Sequence, residues 1–226
     1  MPDVLVLDTA TPAVTAAVVR VVRGRAEPLS VRVARDRRAT RRHGELLAPE
    51  VSAALADAEI GRGDVCAVVA GTGPGPFTGL RVGLVTAAAL ADALRIPAYG
   101  VCSLDGLAAP VRGRVLAVTD ARRREVYWAA YADGIRTAGP EVTRPADLAA
   151  LLADLGVDVA CGAGARQYAD VLGLPVTGPE SPDPVALAAL AADRILAGAP
   201  GEPLTPLYLR RPDAVEPGRP KAVTPA

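Results

Sequence analysis

The sequence predicts an α/β fold of mixed β-sheets flanked by helices, built twice along the chain. Three observations predict it. Residues 4–7 and 115–119 are apolar, β-branched runs closed by an aspartate, Asp8 and Asp120, and each is followed by a turn and a second strand. The two aspartates stand about half a chain apart, which marks an internal duplication. Between them, short strands and Ala-rich helical stretches follow the order βββαβαβα.

Taken in order, Val4-Leu5-Val6-Leu7 reads as a central, fully buried strand. Thr9-Ala10-Thr11-Pro12 is turn chemistry, and residues 13–22 resume as a second strand. Residues 29–34 alternate, with Leu29, Val31 and Val33 against Ser30 and Arg32, as a half-exposed third strand. The Arg-rich run 35–42 is a solvated connector by its charge. From 44 to 58, Leu47, Val51, Leu55 and Ala58 recur at helical spacing, and Pro49 must begin this helix or kink its first turns. A buried strand at 65–70, a long helix at 78–94, a strand at 97–101 and a short helix at 103–109 complete the first half. The second half repeats strand, turn and strand at 115–120, 122–125 and 126–131. Helices are then expected at 145–155, 165–172 and 184–197, with a short strand at 157–161 and a frayed tail from 212.

Composition narrows the functions. The 226 residues carry 25 basic and 25 acidic side chains, and this balance argues against autonomous nucleic-acid binding. The single histidine, His43, excludes any site built from two imidazoles. Cys66, Cys102 and Cys161 lie in apolar runs without a Cys-x-x-Cys pair and read as small buried hydrophobes. Asp3 and Asp8 interrupt the apolar N-terminus, which has no basic leader, and no run of uncharged apolar residues has membrane-spanning length. The expected location is the cytoplasm.

The densest motif is the Gly/Pro loop 71–83, Gly-Thr-Gly-Pro-Gly-Pro-Phe-Thr-Gly-Leu-Arg-Val-Gly. Free N–H groups at a helix start, with Thr78 as N-cap and Arg81 adding charge, suit an anion. The loop lacks the Gly-Lys-[Ser/Thr] of a Walker loop, and its prolines remove donors, so a stiff turn for close helix packing is the competing reading. Asp8 with Thr9 and Thr11 suits Mg²⁺ and nucleotide phosphates, or an Asx-turn closing a hairpin. The counterpart turn, Asp120-Ala-Arg-Arg-Arg-Glu125, carries bulky side chains where a phosphate-gripping hairpin wants glycine, which weakens an ATPase reading. His43-Gly44-Glu45 opens a helix without a neighbouring nucleophile, so a capping or interface role outweighs a general base. Ala87, Ala88, Ala89, Ala91 and Ala93 allow close helix approach, for dimerisation or for packing on the sheet.

Leu-Asp-Thr-Ala-Thr (7–11), His-Gly-Glu-Leu-Leu-Ala-Pro (43–49) and Gly-Pro-Gly-Pro-Phe-Thr-Gly-Leu-Arg-Val-Gly (73–83) resemble the TsaB (YeaZ) family in order and spacing. So do Gly-Val-Cys-Ser-Leu-Asp-Gly-Leu-Ala (100–108), Asp-Ala-Arg-Arg-Arg-Glu-Val-Tyr (120–127) and Pro-Leu-Tyr-Leu-Arg (206–210). Pro76 and Gly44 stand where the family usually has Ser. The resemblance implies an actin/Hsp70/sugar-kinase-like fold of two duplicated lobes, residues 1–110 and 111–211, with a flexible tail at 212–226. It implies a non-catalytic subunit in threonylcarbamoyl transfer to the adenosine following the tRNA anticodon, with a TsaD-like catalytic subunit and a TsaE-like ATPase. A homodimer when alone, tRNA contact only through the complex, no cofactor and no membrane complete that expectation. The implied interface lies on the helices of the N-terminal lobe, at His43, Glu45, Leu47, Val51, Phe77, Thr78, Arg81, Ala88 and Ala91. The alternatives are a kinase-like enzyme holding Mg²⁺-ATP at Asp8, Thr9, Thr11 and Asp120, and a metallopeptidase, which the single His opposes.

Overall fold

Two sheets with the same internal order organise the chain. The computed structural model describes residues 1–23, 25–35 and 43–210. The predicted tail at 212–226 and the predicted connector, beyond the backbone of Arg35, lie outside the described residues.

The first sheet is built from β1 (Asp3–Asp8), β2 (Ala13–Val22), β3 (Arg25–Arg35), β4 (Val65–Gly71) and β5 (Ala98–Val101), in the order β3-β2-β1-β4-β5. β1 runs antiparallel to β2 and parallel to β4, so it is covered on both edges as well as both faces. That position explains why its sequence is a continuous apolar run rather than an alternating one. Pro28 sits where the β2–β3 register shifts, on an edge strand where a missing N–H is tolerated.

The second sheet contains β6 (Arg114–Arg122), β7 (Glu125–Ala132), β8 (Ile135–Thr143) and β9 (Val159–Cys161), in the order β8-β7-β6-β9. Its central strand again pairs antiparallel with the next strand and parallel with a later one. β8 is absent from the sequence reading. Its residues are exposed or half-exposed throughout and Gly139-Pro140 interrupts them, so no alternation marks the strand.

Helices α1 (His43–Asp57) and α2 (Phe77–Leu94) pack on one face of the first sheet, through Leu47, Val51, Leu80, Leu84 and Ala87 against Leu5, Leu7, Val14, Ala16 and Val18. Pro49 lies inside α1 rather than at its start. By length and composition α2 is the one helix among the described residues able to cross a membrane, and here Leu80, Leu84, Ala87 and Ala91 face the sheet. Helix α3 (Ser103–Ala108) lies between the sheets, where Leu104, Leu107 and Ala108 meet Val115, Ala117, Ala129 and Tyr131.

On the outer face of the second sheet, Leu116, Val118, Val126 and Trp128 pack with Leu148 of α4 (Pro145–Leu155), Ala165 of α5 (Ala163–Gln167) and Leu172 of α6 (Ala169–Leu172). The single helix expected at 165–172 is therefore two, divided at Tyr168, whose φ of −117° leaves the helical region.

Helix α7 (Pro184–Leu196) returns to the first sheet, burying Leu187, Ala188, Ala191 and Ile195 against Val4, Val6, Val19, Val69 and Tyr99. A cut at residues 110/111 thus leaves one face of the first sheet to a helix from the second half. Asp183 caps α7 by accepting from the N–H groups of Val185 and Ala186, with Pro184 at the first helical position. Gly106 lets α7 approach α3, since a Cβ there would reach within 2.7 Å of Leu187 Cγ.

Of the three cysteines, Cys102 and Cys161 are buried, and desolvation pushes their thiols up to about 11 and about 12. Cys66 is exposed, contrary to its apolar neighbourhood in sequence. It is the exposed second residue of a strand whose other residues are all buried.

Candidate functional site

The turn after β1 is the structural centre of the first half. Asp8, 1% exposed, accepts from Ala10 N at 3.0 Å, the Asx-turn that its sequence context allows. Its other carboxylate oxygen accepts from the Ser103 hydroxyl at 2.6 Å, and Ser103 Oγ accepts from Gly73 N at 3.1 Å. Burial pushes the Asp8 carboxyl up to about 6, against the lowering effect of the Ser103 and Ala10 hydrogen bonds. Asp120 repeats the local motif, accepting from Arg122 N at 3.0 Å.

A raised carboxyl has a signed consequence. The folded chain holds the Asp8 proton more tightly than the unfolded chain does. Stability from this group is therefore complete below about pH 4 and is lost as pH rises to about 6. Asp8→Asn, which keeps an acceptor for Ala10 N, is expected to remove most of that slope. Urea midpoints measured from pH 4 to 7 check this, and a slope equal to the parent's would refute it.

The Gly/Pro loop packs onto the same turn. A Cβ at Gly71 would collide with the Asp8 carboxylate and lie 2.7 Å from Ser103 Oγ, and one at Gly83 would collide with the Thr9 hydroxyl. Thr9 Oγ1 donates to Gly79 O at 2.8 Å and accepts from Gly83 N at 3.0 Å, stitching α2 to the β1–β2 turn. Thr78 is not the N-cap expected from sequence. Pro76 occupies that place without a side-chain cap, and Thr78 is the second helical residue. The glycines serve close packing, the second of the two sequence readings.

Between the sheets lies a cleft of about 650 Å³, with Thr11, His43, Phe77 and Thr78 on the first-half side and Asp120, Arg122, Arg123 and Tyr127 on the other. The chain's final described segment completes it. Leu207 N donates to Thr72 O, Arg210 Nη1 donates to Ala121 O at 3.1 Å, and Arg210 pairs with Glu125. At the mouth, the Arg81 guanidinium lies 3.8 Å over the Phe77 ring, and Arg81 Nε donates to the Tyr208 hydroxyl at 2.9 Å. The Phe77 and Tyr208 rings stand 4.9 Å apart. Nothing in the local sequence links Arg81 with Tyr208, 127 positions away.

The predicted site residues separate into two groups. His43, Leu47, Val51 and Ala91 are buried within the chain. The apolar three pack on the first sheet because α1 and α2 turn these sides inward. His43 Nε2 lies 3.1 Å from Thr11 O, and in the tautomer that donates there the ring ties α1 to the β1–β2 turn. Glu45, Phe77, Thr78, Arg81 and Ala88 are exposed. Thr9 and Thr11 are buried with Asp8. Each oxygen of Asp8 accepts one hydrogen bond, from Ala10 N and from the Ser103 hydroxyl. No three His, Cys, Asp or Glu side chains converge on a metal geometry among the described residues.

The model of the family "TsaD: tRNA N6-adenosine threonylcarbamoyltransferase" matches residues 36–193. An uncharacterized protein of Mycobacterium tuberculosis is 53% identical over 211 residues, 93% of each chain. The Escherichia coli tRNA threonylcarbamoyladenosine biosynthesis protein TsaB is 38% identical over 96 residues, 40% of this chain and 42% of that one. The structure of YeaZ from Pseudomonas aeruginosa superposes with a TM-score of 0.72 at 28% identity, covering 92% of this chain and all of the other. Duplicated mixed sheets flanked by helices, in this arrangement, are the actin/Hsp70/sugar-kinase-like fold.

Proposed function

Because this chain belongs to the TsaB (YeaZ) family and to the wider threonylcarbamoyltransferase family, with a role in tRNA threonylcarbamoyladenosine modification, we propose that it is the non-catalytic subunit of that machinery. In this reading it docks a TsaD-like catalytic subunit, works with a TsaE-like ATPase, and pairs with itself when that partner is absent.

The observation that carries the reading is the uncovered outer side of α2. Val85 is 66% exposed on a helix whose opposite side is fully used in the core. Phe77, Arg81, Val85, Ala88 and Ala89 follow one another at helical spacing along that outer side, all exposed. Small side chains at 88 and 89 let a partner helix approach, and the lining of the apolar groove between α1 and α2 includes Val51, Ser52, Leu55, Thr86, Leu90 and Leu94. The engaged Asp8 supports a structural rather than a catalytic part for the β1 turn.

Val85→Glu and Ala88→Glu place a charge in that contact without entering the core. Each is expected to abolish co-elution with the TsaD-type subunit while circular dichroism and the urea midpoint stay as in the parent. Ala91→Glu would damage the core instead, since Ala91 is 7% exposed. At the cellular level, depletion should remove threonylcarbamoyladenosine from hydrolysed tRNA. Unchanged nucleoside levels after depletion would overturn the functional reading.

A further inference from the structure

We propose that residues 199–210 form a strap whose last residue, Arg210, latches the β6–β7 hairpin in the wall of the cleft and holds a turn that its own residues disfavour. The latch depends only on contacts within the chain, so it is independent of the subunit reading above.

The hairpin is the strained partner. Arg122 and Glu125 pair across β6 and β7, which makes Arg123 and Arg124 the two central residues of the turn. Arg122, Arg123 and Arg124 stand at φ values of 60°, 54° and 60°, all left-handed. A two-residue hairpin turn with left-handed backbone at both central positions suits asparagine and glycine, whereas the Cβ of arginine makes it costly. Strained backbone of this kind persists where its surroundings fix it. Within the hairpin, the Asp120 carboxylate fixes the start by accepting from Arg122 N at 3.0 Å.

From outside the hairpin, Arg210 brackets the same turn. Its Nη1 donates to Ala121 O at 3.1 Å, directly before the left-handed run, and its guanidinium pairs with Glu125 directly after it. The clasp lies 89 positions away from Ala121 in sequence. Because Asp120, Ala121, Arg122 and Arg123 line the cleft, Arg210 sets the position of that wall.

The strap is anchored at its other end to the first sheet. Glu202 N donates to Ala98 O and Leu207 N to Thr72 O, both at 2.9 Å, so the segment follows the edge strand β5. Leu204 packs on the apolar cluster of that sheet and Leu207 on the cluster around α3. Glu202 also pairs with Arg194 of α7 at 2.7 Å. The two ends therefore differ in kind. Main-chain hydrogen bonds and apolar burial hold the body, whereas the tip meets the hairpin through a partly exposed ion pair and a carbonyl contact. Pairs of that exposure contribute little, so the tip releases before the body does. Tyr208, two residues before the clasp, also holds Phe77 and Arg81 at the start of α2. One segment thus touches both the cleft wall and the helix assigned above to docking.

Amide hydrogen exchange on the full chain tests the latch. Arg210→Gln is expected to speed exchange of the amides of residues 121–125 by about tenfold, while those of Leu207 and of β1 keep the parent's rates. Adding Arg124→Gly to Arg210→Gln is expected to return most of the protection, because glycine holds a left-handed φ without the clasp. Hairpin exchange equal to the parent's in Arg210→Gln would overturn the proposal. Acceleration spread evenly over both sheets would also overturn it, since that marks a general loss of stability rather than a local release. If Arg124→Gly restored nothing, turn strain would not be what the latch opposes, and the proposal would fall on that ground. Co-elution with a TsaD-type subunit is a separate measurement, and its failure would sink the subunit reading without altering these exchange rates.

Discussion

Gly75→Ala is expected to lower stability by at least about 3 kcal/mol, or to prevent accumulation of folded protein. A Cβ at this position would lie 2.8 Å from Ala10 Cα and 2.9 Å from its carbonyl carbon. Those are backbone atoms of a 2%-exposed residue, so no rotamer change relieves the clash. The loop is held on both sides, by Gly73 N on Ser103 Oγ and by Leu80 N on Pro76 O, and it transmits the displacement to the Asp8 turn. Gly75 has no left-handed backbone, so the effect is steric alone. Gly44→Ala is the control: a Cβ there meets nothing within 4 Å, and the change is expected to be neutral or slightly stabilising. Urea unfolding of both variants decides the matter. Equal midpoints would remove close packing as the reason for the glycine-rich loop.

The same loop shows what sequence patterning does and does not disclose. Strands β1, β2, β4 and β6 were legible because buried strands must be apolar, and their bounds follow that rule. β8 was not, because an edge strand with exposed residues carries no such constraint. Amphipathic spacing located α7 but not its partner, since periodicity identifies a buried side and says nothing of which sheet buries it. In the site, the Asx-turn at Asp8 could be read from residue types alone. Its loss of solvent could not, because the atoms that cover it, Ser103 and Gly71, come from distant elements. The Arg81–Tyr208 contact was hidden for the same reason. The burial of Leu47, Val51 and Ala91 is not legible for a related reason: sequence shows an Ala- and Leu-rich helix without showing which side meets the sheet.

Asp105→Ala is the second large effect, and it reports on how the two halves are joined. Asp105 Oδ1, on α3, accepts from the Tyr131 hydroxyl at 2.8 Å and from Arg136 Nε at 3.0 Å, while Oδ2 accepts from Arg136 Nη2 at 2.7 Å. The donors belong to the second sheet, so this carboxylate ties it to α3. Burial, and then the Asp105 charge, raise the Tyr131 phenol, which therefore stays a donor. Truncation leaves that hydroxyl, on a 3%-exposed residue, without its acceptor. Arg136 is one-third exposed and recovers water, so its share is smaller. The sum is a loss of about 3 kcal/mol. Asp105→Asn, which retains one acceptor, is expected to lose about half as much. Trp128, the chain's one tryptophan, sits in the second sheet and reports that half alone, whereas far-ultraviolet circular dichroism reports both. In the parent the two signals should coincide on urea unfolding. In Asp105→Ala the tryptophan transition should come first, because the second sheet loses its anchor while the first keeps α1, α2 and α7. Coincident transitions at the parent midpoint would show that the apolar contact around Leu104 and Leu107 joins the halves without this ion pair.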